Sequence, residues 1–387
     1  MSVTAAAGFR ASGVAAGLKA SGASDLALVV NDGPLHVASA VFTANRVQAA
    51  PVVWSRQVLA DARVDAVVLN SGGANACTGP GGFADTHHTA ERVATLLGIA
   101  AGDVVVCSTG LIGERLPMAA LLAGVDAAVL ALDRAGGEAA ARAIMTTDTV
   151  PKTAARTRRS PGGGWVVGGM AKGAGMLAPA LATMLVVLTT DAEVEASLAS
   201  TALREATRTT FDRIDSDGCM STNDTVLLMA SGASGVRPGD GEFTEAIRVV
   251  CADLARALIA DAEGAAHDIA IEVVRAQTED DAVDVARAVA RSNLFKAAVF
   301  GNDPNWGRVL AAVGTTRAAF DPSGLDVSIN GVQVCRSGGL GQDRAGVDMT
   351  PREVRVVIDL HAGPATATIW TNDLTHDYVH ENSAYAT

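Results

Sequence analysis

Short apolar runs alternate with helical segments along the first half of the chain, and this alternation constrains the fold more than any other feature. The segments 85–97 and 118–132 have the character of helices. Val-rich runs that end near Asn, Asp, Ser or Gly predict strands. These runs are 26–32 (LALVVND), 39–45 (SAVFTAN), 50–54 (APVVW), 66–72 (AVVLNSG) and 103–110 (DVVVCSTG). The pattern predicts an α/β protein.

The second half continues the same alternation after a break. We expect 151–164 to be a polar, glycine-rich loop, followed by two strand-like pieces around a Gly/Pro centre, the second of which (183–190) is a buried central strand. The segments 194–209 and 243–263 predict helices. Further strands are predicted at 269–274, 297–301, 325–330, 352–360 and 365–370. The whole pattern predicts a layered α/β sandwich with a smaller α/β lobe near the C-terminus.

Charge and cysteine content narrow the class of protein. The net charge of −12 argues against nucleic acid or an anionic membrane as the main partner. The five cysteines are widely spaced without any C-x-x-C, which disfavours a disulfide framework or a structural zinc site. The N-terminus does not resemble a signal peptide, and the longest apolar run, 174–188, is too short to span a membrane. We therefore expect a cytoplasmic protein that uses no metal.

Two motif matches are weak. The segment 173–178 fits G-x-G-x-x-A, but Pro179 and a strand-like run follow where a dinucleotide-binding motif needs a helix. His376 and His380 stand four residues apart, but Asp377 replaces the Glu of H-E-x-x-H. Two surface histidines are the better interpretation. His87 and His88 open a helix and predict a solvent or capping role.

Lys172 is more informative, because the chain has only four lysines against 26 arginines. It lies among Gly and Ala just ahead of an apolar strand. A lysine there can extend its stem along apolar surface and reach water. Alternatively, it is a compact cation held in a site, where it can bind a substrate carboxylate.

Thr183 has an unusual context. Gly-Ala-Gly and Ala-Pro precede it, and Met-Leu-Val-Val-Leu follows. A threonine at the start of a strand usually reflects β-propensity alone. A glycine-rich loop, however, can hold a strained peptide beside a rigid strand. A threonine freed at its N-terminus would supply its own base, since its α-amine, with a pKa of about 8, lies beside Oγ1.

The segment 172–192 (KGAGMLAPALATMLVVLTTDA) resembles the processing segment of the ArgJ family, the ornithine or glutamate N-acetyltransferases. Other stretches similar to the family occur in order along the chain. They are NSGGANACTG (70–79), CSTGLIG (107–113), IMTTDTVPK (144–152), STNDT (221–225), DAEG (261–264), GNDPNWGRVLAAVG (301–314) and ENSAYAT (381–387). The resemblance therefore covers nearly the full length.

The resemblance implies specific roles. The precursor would cut itself between Ala182 and Thr183, leaving an α chain (1–182) and a β chain (183–387) that share one core. Thr183 would then be the nucleophile that carries the acetyl group. Thr109 and Gly110 match the oxyanion-hole pair, although a Thr-Gly turn is also an ordinary way to end a strand. The positions that match substrate-binding residues of the family are Thr149, Lys172, Thr183, Glu263, Asn382 and Thr387.

The implied activity is a ping-pong transfer of the acetyl group from N-acetylornithine to glutamate, with no cofactor and no metal. Acetyl-CoA would be a second donor in the bifunctional type. The family also implies a heterotetramer of two α and two β chains. The alternative is a self-processing N-terminal-nucleophile aminopeptidase or amidase, with water as the acceptor. One departure from the family follows DAEG, where Ala265, Ala266 and His267 replace a small residue, Thr and a basic residue.

Overall fold

A computed structural model of the chain describes residues 2–177 and 184–384. Its strands are β1 Phe9–Val14, β2 Leu26–Asn31, β3 Val37–Phe42, β4 Ala66–Asn70, β5 Val104–Ser108, β6 Lys152–Ser160, β7 Gly163–Lys172, β8 Leu185–Thr190, β9 Thr225–Ala230, β10 Asp268–Ala276, β11 Asp326–Ile329, β12 Val332–Arg336, β13 Gly339–Leu340, β14 Glu353–Asp359 and β15 Ala365–Asn372. Its α-helices are α1 Ala50–Val58, α2 Gly79–Leu97, α3 Met118–Leu130, α4 Gly137–Ala143, α5 Ala196–Thr209, α6 Asp240–Ala260, α7 Glu279–Ala290, α8 Asn293–Phe300, α9 Trp306–Val313 and α10 His376–Ala384.

Two of the three described sheets pack face to face between helices. One has the order β1-β2-β4-β5 and the other β3-β9-β8-β7-β6. Because side chains alternate along a strand, Ala27 and Val187 meet in the core between the sheets. Leu28 packs outward with α2 and α3, and Leu188 packs outward with α5 and α6. The result is a sandwich of four layers, helices–sheet–sheet–helices, as the layered α/β prediction requires.

The third sheet forms the smaller C-terminal lobe that the sequence predicts. Its order is β13-β12-β11-β14-β10-β15, and α7, α8 and α9 contribute to the core on it. The mixed α/β class and the smaller lobe are thereby confirmed. No helix within residues 2–177 and 184–384 is long and apolar enough to cross a membrane.

Two predicted strands are helices instead. The run 50–54 begins α1, where Pro51 occupies the first turn and Val52, Ser55 and Val58 are buried at helical spacing. The run 297–301 overlaps α8, whose start is capped by Ser292 accepting from the Phe295 N–H at 3.3 Å. Short apolar runs do not separate a buried strand from one face of a helix, which is why both predictions were wrong.

The predicted loop 151–164 is also wrong, since it contains strand β6 and the start of β7. The two strands pair antiparallel from Lys152 opposite Ala171 to Ser160 opposite Gly163. Strand β6 lies at the edge of its sheet, where one side of the backbone has no neighbouring strand among residues 2–177 and 184–384. Charged residues are favoured at such edges because they discourage pairing with another chain. The arginines that suggested a loop therefore suit an edge strand.

Candidate active site

A pocket of about 760 Å³ opens where several strands end, and we call it the central pocket. The parallel strands β4 and β5 end at the same edge of their sheet, with Asn70 opposite Ser108. Strand β7 ends at Lys172, which pairs with Leu185 at the start of β8. The loops after these strands meet the turn after α6 and the helix α10. The lining residues are Leu18, Lys19, Ala20, Ser21, Ser71, Gly72, Thr109, Gly110, Leu111, Glu114, Thr146, Thr147, Lys172, Ala174, Gly175, Met176, Glu263 and Asn382.

The predicted site residues fall into three groups. Five line the central pocket: Thr109, Gly110, Lys172, Glu263 and Asn382. Thr149 lines a neighbouring pocket of about 440 Å³, which shares Thr147 and Glu263 with the central one. The cleavage-site residues Ala182 and Thr183 and the terminal Thr387 lie outside the described residues.

The loop that carries Thr109 and Gly110 is held by backbone hydrogen bonds. The Thr109 N–H donates to the Asn70 carbonyl, and the Thr109 carbonyl accepts from the Gly73 N–H, each at 3.0 Å. Gly110 has φ +132°, and a Cβ there would lie 2.7 Å from the Gly73 nitrogen, so only glycine fits. Neither the Thr109 hydroxyl nor the Gly110 N–H has a hydrogen-bond partner among the described residues. Both remain available to a ligand in the pocket.

A network of buried side-chain hydrogen bonds also holds this loop in place. Asn223 Nδ2 donates to the carbonyl oxygens of Ala74 at 2.6 Å and Ser108 at 2.8 Å, so it ties the loop after β4 to the loop after β5. Ser108 Oγ donates to Asn70 Oδ1 at 2.5 Å. Since Asn223 is buried, its bonds compete little with water and hold the Thr109–Gly110 turn in place.

The residue next to Asn223 holds the start of strand β8. Asp224 Oδ1 accepts from the Met184 N–H at 3.0 Å, and Met184 directly follows the predicted nucleophile, Thr183. Burial raises the pKa of the Asp224 carboxyl well above its usual range, against the opposing effects of the Met184 hydrogen bond and the charge of Lys172. Neighbouring residues 223 and 224 thus fix the two sides of the site.

Lys172 is buried, and its Nζ donates to Thr146 Oγ1 at 3.1 Å. Among the described residues no carboxylate lies within 4.0 Å of that ammonium group. Burial lowers the pKa of Lys172, while the charges of Asp148, Asp224 and Glu263 raise it. An ammonium group has three N–H donors, so Lys172 keeps donors for a ligand carboxylate.

Glu263 also lines the central pocket and lies in the turn after α6. Its Oε2 accepts from Asn382 Nδ2 at 3.0 Å, which links the turn to α10. A Cβ added to Gly175 would lie 2.6 Å from Glu263 Oε2, so the carboxylate rests directly on that glycine. The Glu263 N–H donates to the Ala174 carbonyl at 2.9 Å. The segment before the predicted cleavage site therefore packs against Glu263.

Thr149 is exposed and engaged with protein rather than directed into the central pocket. Its hydroxyl donates to Asp261, and its N–H donates to Asp261 Oδ2 at 3.0 Å. Asp261 and Asp148 share the buried Lys152, whose Nζ lies 2.6 Å from Asp261 and 2.5 Å from Asp148. Burial alone would raise the pKa of Asp148, but Lys172 and Lys152 hold it below its usual range.

The residues that depart from the family after DAEG hold the turn that carries Glu263 through contacts outside the central pocket. His267 is buried, with Nδ1 2.8 Å from Asp373 Oδ2 and Nε2 3.2 Å from the Met349 carbonyl oxygen. Asp373 Oδ1 also accepts from the N–H groups of Ala266 and His267. Ala265 and Ala266 line the neighbouring pocket, and none of the three replaced positions lines the central pocket.

Sequence reasoning missed Lys19, Asp148, Asn223 and Asp224 as residues of the site. The signal for the last two was a polar pair directly before the apolar run TVLLMA. Lys19 gave less signal, because it lies in a loop between elements and only the folded chain brings it to the pocket. Asp148 lies in the quoted stretch 144–152, but its contacts with Lys152 and the Gly173 N–H also depend on the fold. The scarcity of lysine, which drew attention to Lys172, applies equally to Lys19.

Comparison with known proteins agrees with the motifs. Residues 10–387 match the model of the ArgJ family. The chain is 67% identical over 386 residues to the arginine biosynthesis bifunctional protein ArgJ of Streptomyces avermitilis, with 100% of each chain covered. It is 64% identical over 387 residues to that of Thermobifida fusca, again with 100% of each covered. A solved structure of an ornithine acetyltransferase from Mycobacterium tuberculosis, complexed with ornithine, is 60% identical in the aligned region. The alignment covers 48% of this chain and 96% of the solved chain, with a TM-score of 0.45.

Proposed function

Because the chain belongs to the ArgJ family, we propose that it transfers the acetyl group of N-acetylornithine to glutamate through an ester on Thr183. One observation carries the proposal. The free donors of Thr109 and Gly110 line the same pocket as Lys172, and the strand partner of Lys172 is Leu185, two residues beyond Thr183. The pocket thus offers donors for an oxyanion and a cation for a carboxylate, and the cation pairs with a strand that begins two residues after the proposed nucleophile.

The transfer proceeds in two halves. Thr183 Oγ1 attacks the acetyl carbonyl carbon, and the free α-amine of Thr183 takes the hydroxyl proton. The Thr109 hydroxyl and the Gly110 N–H stabilise the oxyanion. The tetrahedral intermediate collapses, the bond from carbon to nitrogen breaks, and ornithine leaves with the proton on its amine. Glutamate then attacks the ester through its own α-amine, which releases Thr183 and gives N-acetylglutamate.

Self-cleavage before Thr183 is part of the same proposal. It gives the chains 1–182 and 183–387, and these keep one core because β7, before the junction, pairs with β8, after it, from Val167 opposite Thr190 to Lys172 opposite Leu185. We further propose that two such pairs assemble as a heterotetramer in the cytoplasm. The five cysteines are all free, which suits a reducing compartment.

We propose acetyl-CoA as a second donor, because the relatives that match over their full length are named bifunctional. Those names also favour the transferase over the aminopeptidase alternative. Incubation of the purified protein with acetyl-CoA and glutamate should release free thiol in step with N-acetylglutamate. A protein that consumes N-acetylornithine but leaves acetyl-CoA intact would be monofunctional.

Steady-state kinetics test the proposed transfer. Double-reciprocal plots at several fixed glutamate concentrations should be parallel, because a ping-pong enzyme releases ornithine before glutamate binds. The purified protein alone should release about one ornithine per active site from N-acetylornithine. Intersecting lines together with no ornithine burst would contradict the ester intermediate. Acetate formed at the same rate with and without glutamate would support the hydrolase.

Lys172→Met should weaken both half-reactions together, because we propose that Lys172 binds the α-carboxylate that both substrates carry. Methionine keeps most of the stem and removes the charge. Loss of a hydrogen bond to a charged group suggests about 1.5–3 kcal/mol in each half, or roughly 10–150-fold in kcat/KM. Single-turnover measurements of ornithine release and of N-acetylglutamate formation give the two losses separately.

Completed self-cleavage is the control for Lys172→Met, since the residue lies eleven positions before Thr183. A fully cut variant with unchanged rates in both halves would make the charge structural. A loss confined to the second half would instead assign Lys172 to the side-chain carboxylate of glutamate.

Gly175→Ala should lower kcat/KM about tenfold or more by displacing Glu263, because a misplacement near 1 Å can cost up to about 100-fold. The new methyl group would lie 2.6 Å from the Glu263 carboxylate. The melting temperature should change little, since only the end of a flexible side chain has to move. In a Glu263→Ala background the same substitution should have almost no further effect. Gly102→Ala, where a Cβ meets no atom within 4 Å, is the matched control.

A further inference from the structure

Lys19 is a second lysine that lines the central pocket, and its charge is opposite to that of Glu263 in the same lining. It lies in the loop between β1 and β2, and its Nζ donates to the carbonyl oxygens of Ser24 at 2.9 Å and Met145 at 2.7 Å. The loop is packed tightly on the loop after β4, since a Cβ on Gly72 would lie 2.3 Å from Leu18 Cβ. The ammonium group is therefore held in place before any ligand arrives.

The charge of Lys19 has no direct ionic partner among the described residues. The carboxylate of Asp25, the nearest acidic residue in sequence, accepts hydrogen bonds from the backbone N–H groups of Ala16, Leu18 and Lys19. Burial lowers the pKa of Lys19, and the charges of Asp25 and Asp148 oppose that effect. Two of the three ammonium N–H donors are bonded to carbonyl oxygens, which leaves one for a ligand. The charge of Lys152, by contrast, is paired with two carboxylates, those of Asp148 and Asp261.

Lys19 and Lys172 both hydrogen-bond to the same dipeptide, residues 145–146. Lys19 bonds the Met145 carbonyl, and Lys172 bonds the hydroxyl of the next residue, Thr146. Covalent geometry keeps the two ammonium groups within about 11 Å of each other. The two carboxyl carbons of extended glutamate are about 5 Å apart, and a hydrogen bond at each end extends that reach. The pocket can therefore meet both carboxylates of one glutamate.

The two substrates of the proposed reaction differ in the charge of their tails. N-acetylornithine ends in an ammonium group, whereas glutamate ends in a carboxylate. A pocket that serves both needs an anion for one tail and a cation for the other, in addition to a group for the shared α-carboxylate. Glu263 and Glu114 are the anions in the lining of the central pocket, and Lys172 is proposed for the shared carboxylate. Among the described lining residues, Lys19 is the cation that remains.

We propose that Lys19 binds the side-chain carboxylate of glutamate and so selects the acceptor of the second half-reaction. This inference rests on the proposed acetyl transfer and adds a specificity-determining residue to it. Lys19 has no part in the first half-reaction, because N-acetylornithine presents no second carboxylate. The role belongs to binding, and the chemistry at Thr183 proceeds without it.

The test separates the two halves. The cleaved enzyme and its Lys19→Met variant are first treated with N-acetylornithine, and the rate and amount of ornithine release are recorded. The acetylated enzymes are then freed of small molecules and mixed with increasing glutamate in a quenched-flow apparatus. We expect ornithine release within twofold of the unmodified enzyme. The glutamate concentration for half-maximal transfer should rise about tenfold or more, with a smaller change in the limiting rate.

Two further variants keep the test decisive. Lys19→Arg retains the charge and should recover most of the affinity for glutamate. Lys19→Gln retains a donor for the Ser24 or Met145 carbonyl without the charge, and it replaces the methionine variant if that one does not cleave. A half-saturating glutamate concentration within threefold of the unmodified enzyme would overturn the proposal. So would ornithine release that falls by the same factor as transfer. Absence of an ornithine burst from the unmodified enzyme would instead refute the transfer itself.

Discussion

Thr183→Ala is expected to leave a single chain of 39.2 kDa that neither cuts itself nor transfers an acetyl group. In the proposed mechanism this substitution removes the hydroxyl that attacks both the preceding peptide bond and the acetyl carbonyl. The unmodified protein should instead give fragments of about 18 and 21 kDa, in proportion to their 182 and 205 residues. Gel electrophoresis and an assay of ornithine release measure the two losses.

Thr183→Ser is the matched control, because it keeps a hydroxyl at the same position. We expect it to cut at least in part and to retain some transfer. The larger fragment of the unmodified protein should begin Thr-Met-Leu-Val in N-terminal sequencing. An uncut chain with full activity would remove self-cleavage from the mechanism.

Thr109→Ala should lower kcat about 10²–10³-fold with little change in KM, as expected for one lost donor of an oxyanion hole. The Thr109 hydroxyl has no partner among the described residues, so its removal leaves no protein group unsatisfied. Gly110 keeps its N–H, and the backbone bonds of Thr109 to Asn70 and Gly73 do not involve the side chain. Single-turnover rates of acetylation measure the effect without interference from product release.

Thr109→Ser keeps the hydroxyl and is the control for the loss of the methyl group alone. It should retain most of the rate. A Thr109→Ala enzyme with an unchanged kcat would show that the hydroxyl is no part of the oxyanion hole. Both variants need complete self-cleavage before the rates are compared.

The sequence predicted the layers of the fold better than its individual short elements. The apolar residues of runs such as 26–32 and 66–72 form central strands, because strands buried on both faces need apolar side chains in succession. The runs 50–54 and 297–301 are equally apolar but too short to reveal their period, and tertiary packing made them helical. The polar β6 strand was hidden for the opposite reason. An edge strand has a neighbouring strand on one side only, and polar or charged side chains are favoured there.

Some residues of the candidate site could be predicted from the sequence, and others could be found only in the fold. Lys172 and the Thr109–Gly110 turn could be predicted because rare residues or a family motif marked them. Asn223 could not, because its role depends on bringing the carbonyls of Ala74 and Ser108 together from distant parts of the chain. The roles assigned to Thr183 and Thr387 remain predictions from the resemblance. The role of the residues after DAEG also depended on the fold, since His267 contacts Asp373 and does not line the central pocket.

The central claim is that Thr183 carries the acetyl group, and mass spectrometry tests it most directly. The cleaved enzyme is incubated with N-acetylornithine in the absence of glutamate, quenched in acid and measured intact. The chain 183–387 should gain one acetyl group while the chain 1–182 is unchanged. Fragmentation should locate the group on the side chain of Thr183, and glutamate added before the quench should remove it. No acetyl adduct under conditions that release ornithine, or an adduct on any other residue, would contradict the account.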